Sequence, residues 1–476
     1  MQARLFLKPY LPYAVLVLVF LAYFPCLKAG FVNWDDDVHL SNLNLHEVWT
    51  STVNYTYIPL TRTTWAVEHH FFGYDPFVFH FNNLLLHLAV TALVIIFSRR
   101  MGLSYMAACL AGLLFGLHPM HVESVAWVTE RKDVLYGFFY MAALLAYLQY
   151  LDSRNRSYFW ITILLGVLSI CAKPMAVSLP GTLLVLDWFR RQKLTIRTIF
   201  DKLLCAGFLL PVAFVTFFHS MNMVEPAAGQ GPLIWAWCFM FYFFKFFAPW
   251  PSILFYGFPQ ARYIFYLNIF YLNILVFLGL MAALCLFYRK RWFVFAIIFY
   301  FMNIFFLLRF QPFLNLVSDR YIYIPSVGLC MLMAVLIENI FVWSQGLRIR
   351  GYLVKMGLGG LVIVMSAMTW RQCEVWQNSI TLWQHQLKYD PGRARWLAYS
   401  KLADAYAAAG RVDPKSGRFN HIRMLYQRAI TLNPDYPESY RGMGKLYSSA
   451  GDLQRGQEYY RMADRDGPKF LAHRAF

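Results

Sequence analysis

Leu11-Pro-Tyr-Ala-Val-Leu-Val-Leu-Val-Phe-Leu-Ala-Tyr-Phe-Pro-Cys-Leu-Lys-Ala-Gly30 runs directly into Phe31-Val-Asn-Trp-Asp-Asp-Asp-Val-His39. The first stretch is long and apolar enough to cross a bilayer, and the second places three carboxylates at its mouth. Such charges resist leaving water, so a purely structural role there is costly. A cavity at the bilayer surface that needs a general base is the functional alternative to helix capping or plain solvation. Pro25 and the absence of a small-residue cleavage site make 11–30 a retained helix rather than a signal peptide.

The remainder of the chain has the same character. Of 476 residues, 59% are hydrophobic and only 14% charged, which excludes an ordinary soluble domain. Apolar segments at 11–30, 78–98, 104–117, 132–151, 158–172, 174–188, 203–219, 265–287, 292–309, 321–342 and 353–370 predict about 11 transmembrane helices. The Phe- and Trp-rich stretch 232–250, with Lys245 inside it, predicts a helix lying in the interface. With the N-terminus inside, the clusters Arg99-Arg100, Arg154–Arg156, Arg190–Lys193, Arg289–Arg291 and Arg348–Arg350 all fall on the cytoplasmic side. The net charge of +18 therefore reads as topology, with no nucleic acid implied. Eight scattered cysteines, none in a C-x-x-C pair, read as small membrane hydrophobes.

The same parity puts the acidic triplet, His118–Lys132, Lys173, Asp319-Arg320 and the chain after residue 370 on the opposite face. Residues 371–476 predict a C-terminal tetratricopeptide (TPR) α-solenoid. Leu402, Ala403, Tyr406, Gly410, Tyr426, Ala429 and Pro434 are followed by Tyr440, Met443, Gly444, Tyr447, Gly451, Tyr460, Ala463 and Pro468. The closing prolines are 468 − 434 = 34 residues apart, the period of that repeat. Trp376–Pro391 has the form of half an earlier copy. The expected organisation is an all-α polytopic membrane helix bundle over 1–370 and an extracytoplasmic helical domain over 371–476.

Candidate chemistry gathers on that face. Adjacent carboxylates repel and raise one pKa, which suits a base that takes a proton from a hydroxyl. Asp35, directly after Trp34, is the expected base and Asp36 its support. Trp34, Trp49, Tyr55, Tyr57 and Trp65 in the first loop suit a sugar or lipid headgroup, or else an interfacial aromatic belt. His118, His121 and Glu123 have the residue types of a metal site, yet H-x-x-H without a helical frame serves equally for hydrogen bonds to substrate or for polar packing. Glu130, Arg131, Lys132 and Asp133 place four charges at one helix start, and Arg131 or Lys132 is suited to neutralise a phosphate. Lys173 calls for an anionic ligand or a buried partner. Asp319 and Arg320 form either a site pair or a local ion pair, and Arg62 is a further phosphate candidate or a loop residue. His80, Asn83 and His87 share one face of the second span and should look into the bundle. Eight of the twelve histidines lie between 39 and 121.

Five motifs in order carry a family resemblance: Trp34-Asp-Asp36, Tyr57-Ile-Pro-Leu-Thr61, Tyr74-Asp-Pro-Phe-Val-Phe-His80 with Asn83 and His87, Leu117-His-Pro-Met-His-Val-Glu-Ser-Val-Ala126, and Ser318-Asp-Arg-Tyr-Ile-Tyr-Ile-Pro325. With the helical repeats that close the chain, they make it resemble the bacterial relatives of the transmembrane-and-TPR protein O-mannosyltransferases, in the GT-C glycosyltransferase fold. The tail is shorter than the arrays of the animal members. The resemblance implies a polyprenyl-phosphate-linked sugar, possibly mannose in view of the eukaryotic members, and a protein hydroxyl acceptor docked by the TPR helices. It implies in-line inversion with Asp35 as base, and a phosphate held by Arg131, Lys173 and Arg320, with Lys132 and Arg62 as further candidates. His118 and His121 would then bind substrate, with no metal and no cofactor. The implied location is a bacterial inner membrane, with site and TPR helices on the periplasmic side. Other readings are a lipid or glycan acceptor, a membrane scaffold that recruits envelope proteins, and a transporter.

Overall fold

The computed structural model describes residues 8–54, 56–221, 231–256, 275–284, 286–307, 317–344, 348–390, 392, 395–410 and 413–473. Tyr55, Cys285, Pro391, residues 265–274 of the eighth expected span and 308–309 of the ninth lie outside them. Among the described residues all regular structure is helical apart from an isolated bridge between Val53 and Thr56.

The first membrane helix is α1 (Leu11–Tyr23), prolonged by a tight turn to Lys28. Helix α2 (Pro59–Phe72) lies in the first loop, and α3 (Pro76–Arg100) crosses back, opened by Asp75 capping the Phe77 N–H. Helix α4 (Tyr105–Gly116) breaks at His118, and a 51° bend leads into Pro119–Ala126. Helix α5 (Arg131–Ser153) ends at Arg154, whose φ of 58° stops the helix. Helices α6 (Arg156–Ala172), α7 (Leu179–Phe189) and α8 (Ile196–Met221) follow. Next come α9 (Gly231–Phe247), the short apolar helix Leu275–Leu284, α10 (Arg291–Ile304), α11 (Ser326–Ser344) and α12 (Arg348–Val375). Among the described residues six helices are long and apolar enough to cross a membrane, or seven if the bent segment counts as one span. The protein is a multi-pass membrane helix bundle.

Close approach of α4 to its neighbours rests on Gly112 and Gly116, four residues apart on one face. A Cβ at Gly112 would sit 2.3 Å from Ile95 of α3, and one at Gly116 would sit 2.5 Å from Val19 of α1. Lipid offers no hydrophobic drive between helices, so van der Waals fit at such small residues supplies the association.

Two expectations need correction. Helix α9, expected on the interface, packs largely against protein, with Phe244 and Phe247 left exposed. Cys238, Phe239, Met240 and Tyr242 are buried, and Tyr300 of α10 donates to the Phe239 carbonyl. A Phe- and Trp-rich sequence satisfies either setting, and Lys245 finds the Pro251 carbonyl and the Tyr256 ring instead of lipid headgroups. The span read as 321–342 begins at Ser326, because the residue before a proline avoids the helical region and Pro325 ends the preceding turn.

Beyond α12 come α13 (Ser379–Tyr389), α14 (Arg395–Ala408), α15 (Gly417–Leu432), α16 (Pro437–Ser449) and α17 (Leu453–His473). Helix α14 packs on α15 and α16 on α17. At Gly444 of α16 an added Cβ would meet Tyr460 of α17 at 2.8 Å.

Candidate active site

The acidic loop starts in tension. Asp35 takes φ 58° and ψ −19°, a left-handed conformation that costs a non-glycine residue on the order of 1–3 kcal/mol. Asn54, also left-handed at φ 46°, donates from its side chain to Asp35 Oδ1 at 3.1 Å. The turn sends three neighbouring carboxylates in three directions. Asp37 is exposed, Asp35 half-buried and Asp36 buried.

Asp36 is held by two donors, the Val32 N–H at 2.9 Å on Oδ2 and the Trp127 indole N–H at 2.8 Å on Oδ1. Burial pushes its carboxyl up to about 7, outweighing these hydrogen bonds. Burial also raises Asp35, while Lys132 and Arg320 pull against it. His39, beneath the loop against Trp65, is driven down to about 3 by burial.

Trp127 joins the acids to a buried charge network. Lys132 Nζ lies 5.8 Å and the Arg320 guanidinium 5.5 Å from its ring centroid, within cation–π reach. Glu130, at the N-terminus of α5 where the helix dipole favours an anion, is the hub. It meets Lys132 at 3.1 Å, Lys173 at 3.1 Å and Arg320 at 3.3 Å. Lys173 also pairs with Asp133 at 2.6 Å, which accepts from Ser124 at 3.1 Å. Arg320 closes the circuit on Glu123, its guanidinium paired with Oε1 and its backbone N–H donating to Oε2 at 3.0 Å. Three cations and three carboxylates balance.

The structure therefore brings Asp35, Asp36, Glu123, Lys132, Lys173 and Arg320 into one region. It sets other expected residues apart. Arg131 turns the other way, to Glu68 at 2.5 Å, the Asn83 side chain at 2.7 Å and the Phe79 carbonyl at 2.8 Å. Arg62 ties the first loop together through the Asn42 carbonyl at 2.8 Å and Ser51 Oγ at 3.1 Å. His118 contacts the Phe246 carbonyl at 3.0 Å, and His121 the Phe115 carbonyl at 2.8 Å and Ser326 Oγ at 3.1 Å. His80 is buried near the Gly30 and Ala126 backbone. Asp319 accepts from Ser252 and from Tyr256 at 2.7 Å. Among the described residues no group of three or more His, Cys, Asp and Glu side chains is placed to share a metal ion. Of the first-loop aromatics, Trp65 is core, Trp49 is exposed, and Trp34 packs on Trp383 of α13.

Sequence reasoning passed over Trp127 and Glu130 as site residues, although both stand in stretches it singled out. Glu130 was legible as a carboxylate flanked by cations at a helix start. That Trp127 bridges the acids and the cations depends on the bend after α4.

Comparison with known proteins bears on this arrangement. The human protein O-mannosyl-transferase TMTC4 is 31% identical over 191 residues, covering 35% of this chain and 26% of that one. The chain is similar to the protein O-mannosyl-transferases. The Xenopus laevis O-mannosyl-transferase tmtc2 is 33% identical over 175 residues (36% of this chain, 20% of that one), and the Drosophila melanogaster O-mannosyl-transferase Tmtc1 is 29% identical over 178 residues (34% and 21%). The matches span about a quarter or less of these O-mannosyl-transferases. They bear out the family resemblance drawn from the ordered motifs. No family model matches the chain. An Archaeoglobus fulgidus oligosaccharyltransferase superimposes over 84% of this chain and 59% of that one, at 13% identity and a TM-score of 0.46, a likeness that carries no argument about reaction.

Proposed function

We propose that the protein is a GT-C-type membrane glycosyltransferase that moves a sugar from a polyprenyl-phosphate donor to a hydroxyl of a protein acceptor. One observation carries this reading: the Trp127 indole holds the acidic loop through Asp36 while Lys132 and Arg320 lie against the same ring, so acids and cations meet at one residue. Asp35, half-buried and with raised proton affinity, takes the hydroxyl proton as that oxygen attacks the anomeric carbon. The bond from that carbon to the phosphate oxygen breaks, the electron pair leaves with the phosphate, and the carbon inverts. Lys132 and Arg320, with Lys173 behind them, stabilise the charge that develops on the phosphate. Asp36 is too enclosed to reach a substrate, so it anchors the loop and orients Trp127. Arg131, Arg62, His118 and His121 hold scaffold.

A cleft of about 780 Å3 between Asn33 and Asp37 of the acidic loop and Lys401, Asp404, Tyr426, Arg441 and Lys445 of the tail helices suits a protein acceptor. It lies two residues from the proposed base. The tail helices fit a TPR assignment, and the positive-inside clusters favour this face being periplasmic.

The test is transfer by the purified chain in liposomes. Polyprenyl-phosphate mannose and other polyprenyl-phosphate hexoses are offered with envelope proteins, and the products are read by mass spectrometry. Hexose on serine or threonine is the expected result. Failure to transfer from every such donor overturns the proposal, and hexose found only on lipid or glycan replaces the protein acceptor.

A further inference from the structure

Helix α13 is the first element after the membrane domain, and it touches both halves of the candidate site. On the acid side, Ser379 Oγ accepts the Asn33 N–H at 2.8 Å, and the Trp383 indole donates to Asn33 Oδ1 at 2.7 Å. The Asn33 side-chain amide then donates to the Lys401 carbonyl of α14 at 2.9 Å. Trp383 also meets Trp34 edge to face at 5.7 Å. Asn33 thereby spends its backbone and side chain on the tail, two residues before the strained Asp35.

On the cation side, Gln386 Oε1 accepts the Leu254 N–H at 2.9 Å and the Phe255 N–H at 3.3 Å, and its amide donates to the Phe255 carbonyl at 3.2 Å. His385 meets the Ser252 carbonyl at 2.9 Å. The segment so fixed carries Ser252 and Tyr256, which hold the Asp319 carboxylate next to Arg320. Two turns of one helix therefore set the position of the base loop and of the Arg320 backbone together. Just before α13, Trp376 stacks on Trp127 at 5.4 Å.

We infer that α13 is a clamp of the active site rather than the start of a detachable docking domain, and that Asn33 and Gln386 are positioning residues through which it registers the acid against the cations. The inference rests on the glycosyltransferase reading for its catalytic consequence, but the coupling itself can be read without catalysis. A side chain's hold on reacting groups matters because a displacement near 1 Å costs about a hundredfold in rate. Docking by the tail would instead appear in acceptor affinity.

The experiment uses the full chain in detergent and liposomes with Asn33→Ala, Asn33→Asp, Trp383→Phe and Gln386→Ala. Hydrogen–deuterium exchange is read on peptides covering 30–40 and 317–325. Trp383→Phe removes the indole donor at some cost in packing, and Asn33→Ala removes its acceptor while Trp383 stays in place, so an effect common to both reports the lost bond. The expected result is faster exchange at 30–40 in Asn33→Ala and Trp383→Phe, and at both peptides in Gln386→Ala, with a lowered midpoint of thermal unfolding but a chain still folded at the assay temperature. In transfer assays Asn33→Ala and Gln386→Ala lower kcat about 10- to 100-fold with acceptor KM within twofold, and Asn33→Asp, which keeps the acceptor for Trp383, recovers part of the loss. No faster exchange at 30–40 in Trp383→Phe and Gln386→Ala, or a change in KM alone, overturns the clamp. If the unaltered chain transfers no sugar from any donor, the glycosyltransferase reading falls while the exchange data still decide the coupling.

Discussion

The two ends of α5 both bury ionic groups, and they are built on different plans. At its C-terminal end Lys202 pairs with Asp187 and the Tyr147 hydroxyl, and Asp201 takes Tyr150 at 3.0 Å and Arg156 at 2.7 Å. Asp187 and Asp201 each have a cation and a phenol of their own. At the N-terminal end the cations share Glu130, and Asp35 and Asp36 accept hydrogen bonds from neutral donors, with no cation in direct contact among the described residues. A buried pair with its partner in place tends toward structural work, whereas carboxylates left without cations keep a proton affinity that chemistry can use.

Substitutions at the two ends put that contrast to the test. Asp35→Asn should slow sugar transfer by roughly 10²–10⁴-fold with folding intact, the usual range for losing a general base. A rate equal to that of the unaltered chain in membranes would remove Asp35 from the mechanism. Arg320→Met should cost about 10²–10³-fold in kcat, as for removal of one charge-stabilising donor. It should also lower stability, because Glu123 is then buried without its partner. Lys202→Met at the opposite end should destabilise by roughly 3–5 kcal/mol while the rate per folded molecule stays within twofold; a large kcat effect there would erase the distinction between the ends.

Titration sharpens it further. Asp36 binds its proton more tightly folded than unfolded, so from pH 4 to about 7 the native state holds more protons. Stability should therefore fall as pH rises across that window, by an amount on the order of a few kcal/mol, and Asp36→Asn should flatten the dependence in pH-stepped denaturation. Transfer should show an acid limb above the ordinary carboxylate range, since burial raises Asp35 and its ionised form is the base. The smallest effect belongs to a surface pair of the tail. Arg441→Ala, which breaks a half-exposed contact with Glu438, should shift stability by less than about 1 kcal/mol.

Apolar runs announced most of the helices because each must satisfy its backbone internally and face lipid or protein with apolar side chains. The acidic triplet, Lys173 and Asp319-Arg320 were legible for the converse reason, since charge beside a bilayer is costly without a purpose. Sequence could not separate Arg131 from Lys132. They are neighbours in the chain, yet 100° of helical turn sends one to Glu68 and the other toward Asp35. Nor could it show the reach of Asn33 to Trp383 and Lys401, partners 350 and 368 residues away, because side-chain contacts at such separation leave no periodic trace.

Helix α12 spans 28 residues without interruption and carries the backbone from the bilayer to the beginning of α13. Among the described residues only 11% of those in its most apolar window are buried by protein, which leaves most of that stretch open to lipid. A rod of about 42 Å held mostly by lipid tilts to match hydrocarbon depth. Under the proposed function, bilayer thickness would bear on the clamp, and lipids with shorter or longer tails are expected to change transfer without altering a single residue.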